Sequence, residues 1–109
     1  LSEPAIALLE SMPKVVGSNH IFPAARKGQL SDMALTSVLK RMGREGLTQH
    51  GFRSTFRDWA GETTAHPREV IEHALAHQLK DKAEAAYQRG DLLAKRSLLM
   101  ADWAMYCSQ

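Results

Sequence analysis

The groups in this sequence that can do chemistry are His50 and Arg53 in His50-Gly51-Phe52-Arg53, His77 in Leu75-Ala76-His77, and Tyr87 in Ala85-Ala86-Tyr87-Gln88-Arg89. They combine one guanidinium, two imidazoles and a phenol, a set suited to covalent attack on a phosphodiester. A phenol with a pKa near ~10 is only about one-thousandth ionised at neutral pH, so alone it is a poor nucleophile. It becomes effective where cationic groups hold the electrophile and stabilise the charge that develops during attack. Arg53 suits that task, because its planar fork is always charged and binds two phosphate oxygens at once. The histidines can donate hydrogen bonds to the remaining oxygens or carry protons.

The elements that must position these groups read as helices. Pro4 to Met12 predicts a short helix with Ile6, Leu9 and Leu8 turned inward, broken by Pro13 and Gly17-Ser18-Asn19. Ile21-Phe22-Pro23 reads as a brief extended piece and Arg26-Lys27-Gly28 as a turn. Ser31 is a suitable N-cap for a helix whose apolar stripe is Leu35, Val38, Leu39 and Met42, interrupted by Gly43 and Gly46. Thr48 then caps the helix that matters most, with Phe52, Thr55, Phe56 and Trp59 on one face. His50 and Arg53 fall in its first turns, about one turn apart and so on neighbouring positions, where unpaired N–H groups and the positive dipole end favour anions.

Pro67 predicts the next helix from its first position, with Val70, Ile71, Ala74 and Leu75 on the apolar side and an end near His77. A polar link from Gln78 to Asp81 leads to a helix-prone stretch, Lys82 to Tyr87. After Gly90-Asp91 a final helix aligns Leu92, Leu99, Trp103 and Tyr106. Strand signals are scarce and there is no internal repeat, so the fold class is mainly α, with about five or six helices.

Each candidate has a plainer explanation. Arg53 can be a surface residue bridged to Asp58 or Glu62, and His77 a helix C-cap that complements the dipole. His73 and His77 stand four apart like zinc ligands on a helix. However, Ala74 occupies the place where a zinc-protease motif needs Glu, and no third ligand is evident, so a metal site is not expected. His66, before Pro67, reads as a cap or loop residue, and His20 carries no assignment. Tyr106 sits in an apolar stripe that explains it by packing. Tyr87 sits in a polar, alanine-rich stretch where a core tyrosine would lack neighbours. A lone His-x-x-Arg has almost no specificity, and spacing alone leaves the function open.

Composition sets bounds. A chain of 109 residues makes one domain at most, and 44% hydrophobic with 24% charged residues is ordinary for a soluble globular protein. No apolar run approaches the ~20 residues of a membrane span. Leu1-Ser2-Glu3-Pro4 lacks the regions of a signal peptide, and the missing initiating Met suggests an excerpt of a longer protein. Cys107 is the single cysteine, which rules out an internal disulfide and fits a reducing, cytoplasmic setting. The net charge of +2 is small, but it is unevenly spread. From Lys14 to Arg57 eight basic residues face only Asp32 and Glu45, whereas six basic and eight acidic residues follow from Asp58 onward. A basic front half favours a phosphate backbone, although on charge alone a solvated surface is the leading reading.

In four ordered elements the chain resembles the tyrosine recombinases, or phage integrases, most closely the branch that inserts prophages and genomic islands. These elements are His50-Gly51-Phe52-Arg53, Leu75-Ala76-His77, Ala85-Ala86-Tyr87-Gln88-Arg89 and Met100-Ala101-Asp102-Trp103-Ala104-Met105-Tyr106. Ile21-Phe22-Pro23 and Leu30-Ser31-Asp32 also look like this branch. The resemblance implies that Arg53 clamps the nonbridging oxygens of the scissile phosphate and that His50 contacts it and takes part in proton transfer. It further implies that His77 hydrogen-bonds the phosphate and that Tyr87 is the nucleophile. The implied partners are double-stranded attachment-site DNA and three further protomers in a tetramer on that DNA, with no membrane.

The implied reaction is strand cleavage and rejoining through a 3′-phosphotyrosyl link. That link conserves bond energy, so no cofactor, neither ATP nor metal, is implied. The lack of a phosphate-cradling Gly-rich loop or compact carboxylate cluster agrees. The family's catalytic set also holds an arginine on an early helix and a lysine in a β-hairpin, and Leu1-Ser2-Glu3-Pro4-Ala5 resembles the stretch after that hairpin. Residues 1–109 are therefore expected to be the C-terminal part of a catalytic domain and, lacking those two groups, inactive alone. Two other readings have weight: a DNA-binding module that does not use Tyr87, and a phosphotyrosyl topoisomerase that relaxes supercoils without a partner site.

Overall fold

The computed structural model describes residues 1–26, 28–77 and 92–109. Five α-helices stand among them: α1 Glu3–Glu10, α2 Ala34–Arg41, α3 Gln49–Thr63, α4 Arg68–Ala74 and α5 Leu93–Cys107. The fold is mainly α, as the sequence predicts. Among the described residues the β content is one isolated antiparallel bridge, Pro23 to Gln29, at the expected extended piece. The stretch Lys82 to Tyr87 and the link before it lie outside the described residues.

The core sits where α3, α4 and α5 meet. Phe56 and Ala60 come from α3, Val70 and Ile71 from α4, Leu75 from its C-cap and Leu99 from α5. Burying a large apolar side chain fully contributes about 1.5–3 kcal/mol, so these residues carry much of the packing among the described residues. Aromatic rings close the α3–α5 seam. Trp103 meets Phe56 edge-on at 5.3 Å between ring centres and Trp59 at 4.9 Å. Tyr106 stacks on Trp103 at 5.5 Å but remains 47% exposed, so it packs at the rim of the cluster and not in the core.

Several expectations shift in register. On α3 the buried side is Phe56, Trp59 and Ala60, while Phe52 and Thr55 are exposed. The buried residues of α3 lie in its C-terminal half, where the core with α4 and α5 is built. α2 begins at Ala34 and not after Ser31, whose carbonyl accepts the Ala34 N–H at 3.0 Å in a preceding turn. Its stripe is largely uncovered: Leu35, Val38 and Met42 are exposed and Leu39 is half-buried. On α1, Leu9 is half-buried whereas Ile6 and Leu8 are exposed, because this eight-residue helix packs chiefly on α5 and covers a single narrow edge. Pro67 is the N-cap of α4 (φ −60°, ψ 144°), not its first helical residue.

Candidate functional site

The site is built from the N-terminal half of α3 and the C-terminal end of α4. Thr48 caps α3 as the sequence predicts, its Oγ1 accepting the Gly51 N–H at 3.0 Å. Gly51 keeps this approach open: a Cβ there would come within 3.2 Å of Thr48 Oγ1, tighter than most real contacts. The glycine between His50 and Arg53 thus serves the cap. His50 stands in the first turn and Arg53 one turn on, both exposed, and Arg57 follows Arg53 by four residues on the same side.

The end of α4 has its own geometry. Leu75 is the C-cap and Ala76 takes a left-handed conformation with φ 55°. The Ala76 N–H donates to the His73 carbonyl at 3.1 Å and the His77 N–H to the Glu72 carbonyl at 2.9 Å. This pair of bonds is a Schellman turn with alanine where glycine is usual. The turn folds His77 back over the last helical residues, and its Nδ1 lies 2.6 Å from Glu72 Oε2. The other oxygen, Glu72 Oε1, accepts from Arg57 Nε at 2.7 Å.

Arg53 reaches the same place, with one arm of its fork donating to the Leu75 carbonyl. Arg53 makes no ion pair among the described residues, so the alternative bridge to Asp58 or Glu62 is not what it forms. The structure therefore brings Arg53 and His77 to one end of α4, with His50 a turn away on α3. Tyr87 lies outside the described residues.

Two contributors are not evident from the sequence. Glu72 falls on the buried side of α4 next to Val70 and Ile71, with 8% exposure, and both of its oxygens are used. An acidic residue inside an apolar stripe is the signal that points to it. Burial pushes its carboxyl up, but the hydrogen bonds from His77 and Arg57 outweigh that and hold it below the ordinary value. The same hydrogen bond to Glu72 raises the Arg57 guanidinium. Glu72 thus neutralises Arg57 and leaves Arg53 as the arginine of α3 without an ion pair among the described residues. His66 is a loop residue as expected, but its Nε2 also lies 2.7 Å from Asp102 Oδ2, fastening the α3–α4 connection to α5. That partner, 36 positions away in sequence, leaves no local signal.

Among the described residues no three His, Cys, Asp or Glu side chains gather as a metal site, and no described helix is long and apolar enough to cross a membrane. His73, the other member of the zinc-like pair, keeps a buried Nδ1 without a hydrogen-bond partner among the described residues, while His77 is turned to Glu72.

Comparison with known proteins gives the class to which this arrangement belongs. The chain is similar over 95% of its length to a prophage integrase of Escherichia coli K12, IntA, with 39% identity. It is 30% identical over the same share to the integrase of Shigella phage Sf6 and 29% identical to a second Escherichia coli K12 prophage integrase, IntS. The chain belongs among the integrases of phages and prophages. It spans about a quarter of the length of these relatives, 26–28%. No family model and no solved structure matches it.

Proposed function

We propose that this chain carries the phosphate-handling and nucleophilic part of a tyrosine-type site-specific DNA recombinase. The observation that carries this reading is the placement of Arg53 beside the His77 turn with its charge unpaired among the described residues. An uncompensated guanidinium next to an oriented imidazole suits a phosphate that arrives with the substrate.

In this reading Arg53 binds the nonbridging oxygens of the scissile phosphate, and His50 and His77 contact the same group. The Tyr87 oxygen forms a bond to phosphorus while the bond from phosphorus to the 5′ oxygen breaks. A proton passes to that leaving oxygen, giving a 3′-phosphotyrosyl link and a free 5′-hydroxyl. The 5′-hydroxyl of a partner strand reverses the attack and exchanges the strands. Double-stranded attachment sites are the substrate, a tetramer on DNA is the working assembly, and the cytoplasm is the compartment. The family's further arginine and lysine have no counterpart in these residues, so the 109-residue chain alone is expected to be inactive.

The test is trapping on a nicked suicide substrate with the full-length parent protein, its Tyr87→Phe variant and its Arg53→Ala variant. A covalent adduct that vanishes with Tyr87→Phe supports the reading. Arg53→Ala is expected to slow the adduct by about 100- to 1,000-fold, as loss of one electrostatic donor typically does. DNA binding without any adduct in the wild type would favour a binding module. An adduct that persists in Tyr87→Phe would move the chemistry to another residue, with Tyr106 the next to test.

A further inference from the structure

We propose that Glu72 is a positioning residue that fixes the proton of His77 on Nδ1 and so makes Nε2 the working nitrogen of that imidazole. The inference rests on the reading above for its catalytic consequence, but its structural core stands on the geometry of α4. Glu72 is nearly buried, and its Oε2 lies 2.6 Å from His77 Nδ1. Oε1 is held by Arg57 Nε at 2.7 Å. The His77 backbone is fixed by its N–H bond to the Glu72 carbonyl. Ring and carboxylate are thus joined at both main chain and side chain, and the carboxylate accepts only from a protonated Nδ1.

The second oxygen gives the arrangement its direction. A carboxylate caught between two donors cannot turn away from His77 without releasing Arg57. With one ring proton, His77 carries it on Nδ1 and presents a lone pair at Nε2; with two, Nε2–H becomes a donor for a phosphate oxygen. Both states use the same outward atom. Carboxylate partners of functional imidazoles commonly set tautomer and ring orientation in this way.

Glu72→Gln tests it with little change in volume. Arg57 still donates, so it selects the carbonyl end of the amide and leaves the NH2 group facing His77 Nδ1. Two donors cannot face one another, and the ring must give up its Nδ1 proton. The first readout is the ring nitrogen shifts of His77 in histidine-labelled protein. Wild type is expected to show a protonated Nδ1 when the ring is neutral, and Glu72→Gln a protonated Nε2. A wild type with its proton on Nε2, or a variant with an unchanged tautomer, overturns the proposal; if Glu72→Gln does not fold, the wild-type shifts alone decide it.

The second readout is adduct formation by the full-length parent protein. Glu72→Gln is expected to slow trapping by about 10- to 100-fold, the usual range for loss of such a partner, with DNA affinity unchanged. Equal trapping rates overturn the catalytic consequence. If wild type itself forms no adduct, the recombinase reading fails, and the nitrogen shifts still decide whether Glu72 sets His77.

Discussion

Ala76 holds φ 55° at the turn that carries His77. A residue with a Cβ adopts the left-handed region at a cost of roughly 1–2 kcal/mol. Glycine removes that cost but gives back about 0.4–1 kcal/mol through the greater freedom of the unfolded chain. Ala76→Gly is therefore expected to stabilise the protein slightly, seen as a higher denaturation midpoint, and Ala76→Val to destabilise it. A lower midpoint for Ala76→Gly would mean that the methyl group contributes packing of its own. Glu72 makes a second prediction at this scale. Its carboxyl is held below the ordinary value of about 4.5. A carboxyl depressed in the folded state adds stability that is fully present above its unfolded value and fades as the pH falls toward the folded one. Stability should drop below about pH 4.5 in wild type, and Glu72→Gln should flatten that part of the profile in pH-dependent denaturation.

The cap of α3 makes the prediction at the scale of an element. Thr48→Ala removes the acceptor for the Gly51 N–H and is expected to cost about 1 kcal/mol. Gly51→Ala should gain about 0.5–1 kcal/mol of helix propensity, but its Cβ would press on Thr48 Oγ1. The gain should therefore be larger in the Thr48→Ala background than in wild type, a coupling that a double-mutant cycle in denaturant measures. Additive effects would show that the contact relaxes freely. The same helix shows what was legible in the sequence. A Thr cap, the start of α3 and the nearness of His50 to Arg53 follow from local rules, and the structure agrees with them. The start of α2 does not, because its N-cap Met33 makes no side-chain capping bond. Phe56 and Trp59 face inward as their spacing predicts, but the covered face runs on to Ala60 and leaves out Phe52 and Thr55, since which turn is covered depends on where α4 and α5 lie. The Arg57–Glu72–His77 link was illegible for a similar reason: it needs the separation of α3 from α4 and the left-handed turn at an alanine.

At the scale of the molecule, the buried residues among those described run from Phe56 to Leu99, and neither α1 nor α2 contributes one. α2 is tied to α3 by polar contacts of Gln49, which donates to Thr36 Oγ1 at 3.1 Å and to the Asp32 carbonyl at 3.5 Å. Stability should therefore divide along the chain. In native-state hydrogen exchange, amides of α2 are expected to open well below the global free energy, while those at the α3–α4–α5 junction exchange only on global unfolding. Uniform protection would show that the polar tie alone makes the two parts cooperative. Phe56→Ala should remove about 3–5 kcal/mol, a large share of the stability of a domain this size, as thermal unfolding would reveal. The indole rings add a practical consequence. Both tryptophans of the chain, Trp59 and Trp103, lie in the one seam between α3 and α5, with ring centres 4.9 Å apart. Their emission and near-ultraviolet dichroism thus form a built-in optical gauge of whether α5 is docked, and α1 and α2 can loosen while that gauge stays silent.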